Sequence, residues 1–275
     1  MGIRKAIDLY LTMVAYHLLF FVIAIAIGEY SFSIKKLIIA ICPFVVGQKW
    51  FLETYTLLLL FAPFINRLIS HLNRNSHLLL ITLWMLIFSV WPSFFPSPPS
   101  TDNGYGISTF VTLYLVASFI KQYVKLSYSK RTAWRSLGIF AISVIIITLF
   151  SFTEFQDRSW GYCFLFNIIA STALFYAFLN LPKTSNSNIN LVAGTTFGVY
   201  ISHANIYLSN LIYHGVLHTH DYVDSALMPL HFFICILLQF TVFSIVERLR
   251  QFLWKPTIGK YLYNAKWLKN EEKWE

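Results

Sequence analysis

Charged residues are scarce in this sequence. Asp, Glu, Lys and Arg together make up 12% of the 275 residues, whereas soluble domains usually contain about 25%. Hydrophobic residues reach 57% and occur in blocks of roughly twenty, the helix length that crosses a hydrocarbon core of about 30 Å. The scarcity of charge therefore argues against a soluble domain and predicts an integral membrane protein with several spans.

Several features of soluble enzymes and of membrane barrels are also missing. The apolar blocks are continuous and lack the alternation of barrel strands, so each block is predicted to be a helix. The chain has no glycine-rich phosphate loop and no serine nucleophile elbow. Cysteines are few and widely spaced beside or within apolar blocks, which favours buried thiols over disulfides or metal ligands. They are Cys42, Cys163 and Cys235.

The apolar blocks predict an all-α polytopic bundle of about eight transmembrane helices. Their loops differ in sign: residues 121–135 and the tail after Ser244 are basic, whereas 93–106 and 214–226 contain Asp without Lys or Arg. Basic loops belong in the cytoplasm, so both termini are predicted to be cytoplasmic. The net charge of +9 is explained by these loops and does not indicate a nucleic-acid-binding face. The predicted spans are residues 7–27, 50–69, 77–92, 107–123, 136–152, 162–181, 191–213 and 227–249.

One loop breaks this charge pattern. Residues 28–49 lie on the predicted outer side but contain Lys35, Lys36 and Lys49. Within this loop, SIKKLIIAICPFVV is apolar on one side and basic at its start, which predicts a helix lying in the membrane interface. No internal repeat or linker divides the chain, so residues 1–275 are predicted to form a single integral-membrane domain.

Glu53 lies near the start of the second predicted span, in the stretch GQKWFLETY. Carboxylates are costly inside a membrane and often mark functional sites. Glu53 could accept a proton or bind a sugar hydroxyl. Alternatively, it could lie in the interface at the end of the span, paired with Lys49 one turn earlier. The sequence leaves both interpretations open.

A second polar cluster lies in the stretch TTFGVYISHANIYLSN. Thr196, Tyr200 and His203 are spaced i, i+4 and i+7, which places them on one face of a helix. Gly198 would allow a neighbouring helix to approach closely. His203 could orient a substrate or transfer a proton, because the pKa of histidine is near neutrality. It could equally form a structural hydrogen bond to a neighbouring span.

The other histidines give weaker signals. His17 stands in the middle of the first predicted span, and spacing by itself does not favour a catalytic role. Three more histidines stand beside two aspartates in a loop, where they could bind a metal ion, but the ligand spacing of a zinc site is missing. A solvated polar loop is the favoured interpretation, and no metal is predicted. These loop residues are His214, His218, His220, Asp221 and Asp224.

Two longer stretches carry a family resemblance. The first, FSIKKLIIAICPFVVGQKWFLETYTLLLLFAPFINRLI, contains a Gly-x-x-Trp-Phe-Leu motif and ends in Asn-x-Leu-Ile. The second, NSNINLVAGTTFGVYISHANIYL, contains Thr-Phe-Gly-x-Tyr-x-x-His. Together they resemble the bacterial membrane acyltransferase-3 family, which includes O-acetyltransferases of surface polysaccharides. The matching residues are Gly47, Trp50, Phe51, Leu52, Pro63, Asn66, Leu68 and Ile69 in the first stretch, and Thr196, Phe197, Gly198, Tyr200 and His203 in the second.

The resemblance implies acyl transfer from acetyl-CoA to a hydroxyl of a polysaccharide or lipid-linked glycan at the bacterial cytoplasmic membrane. A histidine base would activate the hydroxyl, and basic residues at the cytoplasmic face would hold the nucleotide phosphates. On this interpretation Glu53 and His203 are the predicted catalytic residues, and Arg4 and Lys5 are the predicted acetyl-CoA contacts. The predicted substrate contacts are Trp50, Tyr55, Asn66 and Tyr200.

One departure from the family pattern affects this prediction. Family members usually have further N-terminal spans, and their catalytic histidine lies in the first span, soon after a basic residue. This sequence resembles the family from the third span onward, and His17 does not have the required spacing from Arg4 or Lys5. The resemblance therefore implies that this chain by itself is weakly active or inactive. Two alternatives remain: a non-catalytic membrane partner or remnant, and a transporter of glycan or lipid-linked intermediates.

Overall fold

The computed structural model describes residues 2–46, 49–95, 97–98, 102–125, 128–182 and 185–261. In these ranges the chain forms helices and contains no strand, which confirms the prediction of an all-α membrane protein. Gly47 of the family motif lies outside the described residues. So do Lys266, Lys269 and Lys273 of the predicted basic tail.

Twelve α-helices follow one another in the described part of the chain, with short 3₁₀ and π segments between some of them. The α-helices are α1 (Gly2–Ala26), α2 (Ile34–Ile41), α3 (Trp50–Ser70), α4 (Arg74–Met85), α5 (Trp91–Phe94), α6 (Ile107–Tyr123), α7 (Lys130–Phe150), α8 (Gln156–Ser159), α9 (Leu165–Leu179), α10 (Ser187–Ala193), α11 (Thr196–His203) and α12 (Met228–Trp254). The 3₁₀ segments are Pro43–Val46 and Thr219–Tyr222, and the π segments are Leu86–Val90, Leu211–Val216 and Lys255–Gly259.

Five helical segments of the described chain are long and apolar enough to cross a membrane. Helix α9 is apolar but has only 15 residues, and α6 has 17. The protein is therefore an integral membrane protein, with fewer long spans than the eight apolar blocks predicted. The five segments are Ile3–Ala26, Trp50–Ser70, Arg74–Phe94, Lys130–Phe150 and Met228–Gly259.

The predicted span 191–213 is not one helix. Helix α11 ends at His203, and the π segment Leu211–Val216 begins only after several turns. The side chain of Asn205 accepts the backbone N–H of Tyr207 across the break. This stretch is apolar enough overall to be predicted as one span, so its mean hydropathy did not reveal where the backbone changes direction. Interrupted helices at membrane depth are tolerated where they are buried in protein or line a cavity.

The predicted interfacial helix is present as α2. The Ser33 hydroxyl accepts the backbone N–H of Lys36 and caps the start of this helix, a favourable arrangement for a helix N-terminus. Three isoleucines, Ile34, Ile38 and Ile41, expose an apolar side. A short helix with a basic start and an exposed apolar side suits the membrane interface.

The chain divides into two compact units. The terminal unit contains the described residues of 2–53 and 185–261, and the central unit contains residues 54–182. In the terminal unit α1 packs against α2 and α11, and α11 packs against α12. The prediction of a single domain covering residues 1–275 is not tested by this division and stays a prediction.

The central unit has its own apolar core. Ile69, Ile81 and Leu115 are buried in it, and α7 packs along α9. The helix α4 continues through the π segment Leu86–Val90 into α5, where Pro92 stands at the first positions of the helix. Proline lacks an N–H group and is tolerated at a helix start. The apolar run therefore continues through the proline as one helical segment, Arg74–Phe94.

Candidate functional site

The terminal unit holds the polar side chains of interest on a tightly packed apolar core. Tyr16 and Phe20 of α1, Leu52 of α3 and Ile201 of α11 are all buried in this core. Large, closely packed side chains fix helices against one another. The neighbouring polar groups of α1, α3 and α11 are therefore held in defined positions.

Glu53 is half-buried in the first turn of α3 and interacts with Lys49, as one of the two sequence interpretations expected. The contact differs in kind from that expectation. One Glu53 carboxylate oxygen, Oε1, accepts the backbone N–H of Lys49 at 3.3 Å. A carboxylate at a helix N-terminus is favourable, because it meets N–H groups that have no partner inside the helix.

The side chain of Lys49 turns to a different partner. Its ammonium nitrogen Nζ donates to the Ala204 carbonyl oxygen at 3.1 Å and lies 5.6 Å from the centre of the Tyr200 ring. Lys49 is only 6% exposed. This burial lowers the pKa of Lys49 from its ordinary value of 10.5 to about 8, because the charged form loses its hydration.

Tyr200 and His203 lie together at the end of α11, as their spacing predicted. Their ring centres are 5.8 Å apart, and Phe51 of α3 packs edge-on against Tyr200. Thr196, the third residue of the predicted face, is exposed and donates to the Ala193 carbonyl oxygen. The structure therefore brings together Tyr200 and His203, with Lys49 and Phe51 beside Tyr200.

The hydrogen bonds of His203 decide which ring nitrogen carries a proton. The nitrogen Nδ1 lies 2.8 Å from the Tyr200 carbonyl oxygen. A carbonyl can only accept, so Nδ1 must be the donor, and the neutral ring then has an unprotonated Nε2. Tyr213 fixes the end of the same helix by donating from its hydroxyl to the His203 carbonyl oxygen at 2.9 Å.

His203 also lines a pocket of about 330 Å³ between the end of α11 and the first half of α12. The pocket is mainly apolar and is bordered by a second histidine, His231, whose Nε2 lies 3.2 Å from the Cys235 sulfur. Tyr213 and Gln239 contribute polar groups and contact each other at 3.2 Å. A pocket with an apolar lining and a few polar groups is typical of small-molecule sites.

The other predicted site residues have different surroundings. Trp50 is half-buried and packs edge-on against Phe51. At the start of α1, Arg4 is half-buried and Lys5 is exposed. Tyr55 and Asn66 belong to the central unit, where Asn66 is exposed and accepts the Tyr114 hydroxyl at 2.7 Å.

His17, which its spacing in the sequence does not mark as catalytic, has unusual surroundings. The ring is fully buried, and within the described residues neither of its nitrogens has a hydrogen-bond partner. It packs edge-on against Tyr207 at 6.0 Å between ring centres, and the charge of Lys49 acts on it. The Ser202 hydroxyl and the Asn205 amide nitrogen are also buried without partners in this part of the chain. The sequence did not single out these residues, because their burial without partners depends on packing between helices.

A second buried polar group was also missed. Glu247 of α12 is 1% exposed and accepts hydrogen bonds from Tyr16 at 2.5 Å and from Arg250 at 2.7 Å. Gln251 donates to it at 2.8 Å. Gly198 makes this arrangement possible, because a Cβ atom there would lie 2.6 Å from both Glu247 and the Tyr16 hydroxyl. The i, i+3 spacing of Glu247 and Arg250 was a signal that could have revealed the pair.

No group of three or more potential metal ligands is assembled among the described residues. The loop histidines and aspartates are mostly exposed, and His218 lies 3.8 Å from Asp221. The rings of His214 and His220 are 6.5 Å apart. The described geometry of this loop therefore does not support a metal-binding site.

Comparison with known families gives a match over most of the chain. The acyltransferase-3 family model, described as an acyltransferase domain, matches residues 3–248. This match confirms the resemblance carried by the two sequence motifs. The comparison with curated proteins and the comparison with solved structures each gave no match.

Proposed function

The chain belongs to the acyltransferase-3 family, and we propose that it transfers an acetyl group from acetyl-CoA to a hydroxyl of a cell-surface polysaccharide or its lipid-linked precursor. It would act in the bacterial cytoplasmic membrane with both termini in the cytoplasm. The charge difference between its loops supports this orientation. The five long apolar helices support the membrane location.

The arrangement of His203 carries this proposal. Its Nδ1–H is held by the Tyr200 carbonyl, and its ring borders a pocket large enough for a small substrate. The unprotonated Nε2 can accept the proton of an acceptor hydroxyl while the hydroxyl oxygen attacks the thioester carbonyl. The tetrahedral intermediate then collapses, its C–S bond breaks, and the leaving CoA thiolate takes the proton from His203. The products are the acetyl ester and free CoA.

Aromatic and carboxylate groups near His203 suit a sugar acceptor. Tyr200, Phe51 and Trp50 provide ring surfaces, and Glu53 has a second oxygen that can accept a sugar hydroxyl. Arg4 and Lys5 would contact the phosphates of acetyl-CoA, which favour basic partners. Tyr55 and Asn66 lie in the central unit, and their role as substrate contacts stays a prediction from the family motif.

The test measures the transfer of labelled acetyl groups from acetyl-CoA to cell-surface glycan in membranes that contain this chain alone. His203→Ala and Glu53→Gln should each lower transfer, the former by about 100-fold or more because a general base is lost. His71→Ala is a matched control, because the exposed His71 also directs Nδ1 to a carbonyl of its own helix. Glu29→Gln removes an exposed carboxylate from the terminal unit and is the control for Glu53.

The alternatives predict different results. A well-folded wild-type chain that transfers no acetyl group would contradict the enzymatic proposal and favour a non-catalytic membrane partner. Uptake of glycan into vesicles without consumption of acetyl-CoA would favour a transporter. The break between α11 and the π segment Leu211–Val216 is a feature that transporters also use at their binding sites.

A further inference from the structure

Lys49 is a buried cation, and none of the described acidic side chains forms an ion pair with it. In the described part of the chain its ammonium group forms no ion pair, and its contacts are the Ala204 carbonyl and the face of Tyr200. Glu53, the carboxylate nearest in sequence, is engaged with the backbone N–H of Lys49. Buried charges are normally paired, because removing a charge from water is costly. The surroundings of Lys49 therefore favour binding of a negative charge from outside the chain.

Further polar groups without partners lie next to Lys49. His17, Ser202 and Asn205 contribute buried ring nitrogens, a hydroxyl and an amide N–H group that have no hydrogen bond among the described residues. More than about 90% of buried polar groups in proteins have such a bond. Three orphaned side chains in one region are therefore unusual and indicate a ligand with several hydrogen-bonding positions.

These groups form one continuous patch. Lys49 is bonded to Ala204, the neighbour of Asn205 in the chain. The backbone N–H of Asn205 donates to the Ser202 carbonyl oxygen. The side-chain oxygen of Asn205 accepts the backbone N–H of Tyr207, and the Tyr207 ring packs against His17. The break after α11 thus gathers donors from α1, from the start of α3 and from the turn itself.

We propose that Lys49, His17, Ser202 and Asn205 form an oxyanion-binding site that stabilises the tetrahedral intermediate of acyl transfer. This inference rests on the proposed function and adds residues beside the described site: Lys49 contacts Tyr200 and Ala204, which stand on either side of His203 in the chain. When the acceptor oxygen bonds to the thioester carbon, the carbonyl electron pair moves onto oxygen and creates a negative charge. The Lys49 ammonium faces this charge, while the Ser202 hydroxyl, the Asn205 amide and one His17 N–H donate hydrogen bonds. The electron pair returns to form the ester carbonyl when the C–S bond breaks.

This arrangement has the physical properties of an efficient oxyanion site. Donors fixed in a buried environment stabilise developing charge more strongly than donors in water, because no solvent must reorganise. Keeping the charged Lys49 buried has a free-energy cost, because no acidic side chain among the described residues pairs with it. This cost is reduced when the oxyanion forms. Stabilisation that appears with the transition state raises the rate of the chemical step.

The experiment uses the full chain in lipid nanodiscs and methylphosphonate as the probe, since this small tetrahedral anion resembles the intermediate of acetyl transfer. Binding is measured by calorimetry and by the rise in melting temperature. We expect Lys49→Met to weaken methylphosphonate binding by about 10-fold or more and to abolish most acetyl transfer, because a charge-assisted bond is lost. Lys35→Met, at an exposed lysine of the same unit, should leave both unchanged.

The stability of the same variant separates a functional role from a structural one. Replacing an unpaired buried charge by an apolar side chain of similar length should leave the melting temperature unchanged or raise it. A lower melting temperature for Lys49→Met than for Lys49→Arg would indicate a structural role and overturn the proposal. His17→Phe and Asn205→Leu provide independent variants, and each should weaken methylphosphonate binding.

Failure of this inference can be distinguished from failure of the proposed function. Methylphosphonate binding that depends on Lys49 in a chain without transferase activity would support the anion site and contradict the transferase. Acetyl transfer that persists unchanged in Lys49→Met would support the transferase and overturn the oxyanion site. Methylphosphonate binding that does not depend on Lys49 would also overturn it.

Discussion

The Tyr16 hydroxyl donates to the Glu247 carboxylate over 2.5 Å and joins α1 to α12, two helices separated by most of the chain. Arg250 and Gln251 complete the coordination of the carboxylate from its own helix. Hydrogen bonds to an ionised group in a buried site are among the strongest that proteins form. This contact therefore fixes how α1, which carries His17, lies against α12.

Tyr16→Phe should destabilise the protein by about 1–3 kcal/mol, because the buried Glu247 loses one of its hydrogen bonds. Tyr10→Phe is the matched control, since Tyr10 also belongs to α1 but donates to the Ile41 carbonyl at an exposed position. Unfolding of the purified chain in detergent measures both. Equal effects of the two variants would contradict a special role for the Tyr16 contact.

Glu247→Gln and Arg250→Gln should be strongly non-additive. Arg250→Gln leaves the buried Glu247 without its charged partner, which costs about 3–5 kcal/mol, and Glu247→Gln leaves the half-buried Arg250 without its own, at a smaller cost. The double variant removes both charges, so its loss of stability should be well below the sum of the single losses. Unfolding free energies of the wild type, the two single variants and the double variant form the cycle. Additive losses would show that Glu247 and Arg250 act independently.

Gly198→Ala should destabilise the terminal unit. The added Cβ would lie 2.6 Å from Glu247 and from the Tyr16 hydroxyl, so the helices would have to move apart. Overpacking of this kind costs about 1–3 kcal/mol. Gly138→Ala in α7 is the control, because its Cβ meets open space and should stabilise the helix by up to about 1 kcal/mol. The prediction fails if both variants melt at or above the wild-type temperature.

The pH dependence of acetyl transfer should reflect the protonation state of Lys49. Its pKa is lowered by burial to about 8, so the ammonium is present below that pH and is lost above it. The titratable groups around it are Glu53 on α3, His17 on α1 and Tyr200 on α11. We expect kcat/KM to fall above about pH 8. Lys49→Arg should lack this decline, because the guanidinium stays protonated; an unchanged profile in that variant would exclude Lys49 as its source.

The lowered pKa of Lys49 also predicts how the stability of the protein changes with pH. Unfolded Lys49 regains its ordinary pKa of 10.5, so between about pH 8 and that value the unfolded chain binds more protons than the folded chain. The stability of the wild type relative to Lys49→Met should therefore increase as pH rises through this window. Unfolding measured at several pH values checks the slope. Lys35→Met should show no corresponding slope relative to the wild type, and a flat difference for Lys49→Met would contradict its buried, lowered pKa.

Composition and motif by themselves determined the class of this protein. Blocks of about twenty apolar residues must form helices in lipid, because every backbone polar group needs a partner there. The interfacial helix was predictable because its basic start and apolar side occur in one short stretch. The pairing of Tyr200 with His203 followed from helical spacing, and the family followed from two motifs.

The tertiary structure decided the rest. The end of α11 at His203 is fixed by side chains that meet only after folding, such as Tyr213, so an apolar block of span length predicted one span instead of an interrupted segment. Lys49 could be expected to pair with Glu53 through its charge, yet the fold directs its ammonium to the Ala204 carbonyl, 155 residues along the chain. His17 became informative only through neighbours distant in sequence, and the contact of Glu247 with Tyr16 spans 231 residues. Hydrophobic patterns record which segments leave water, whereas the partners of a buried polar group are set by packing between helices.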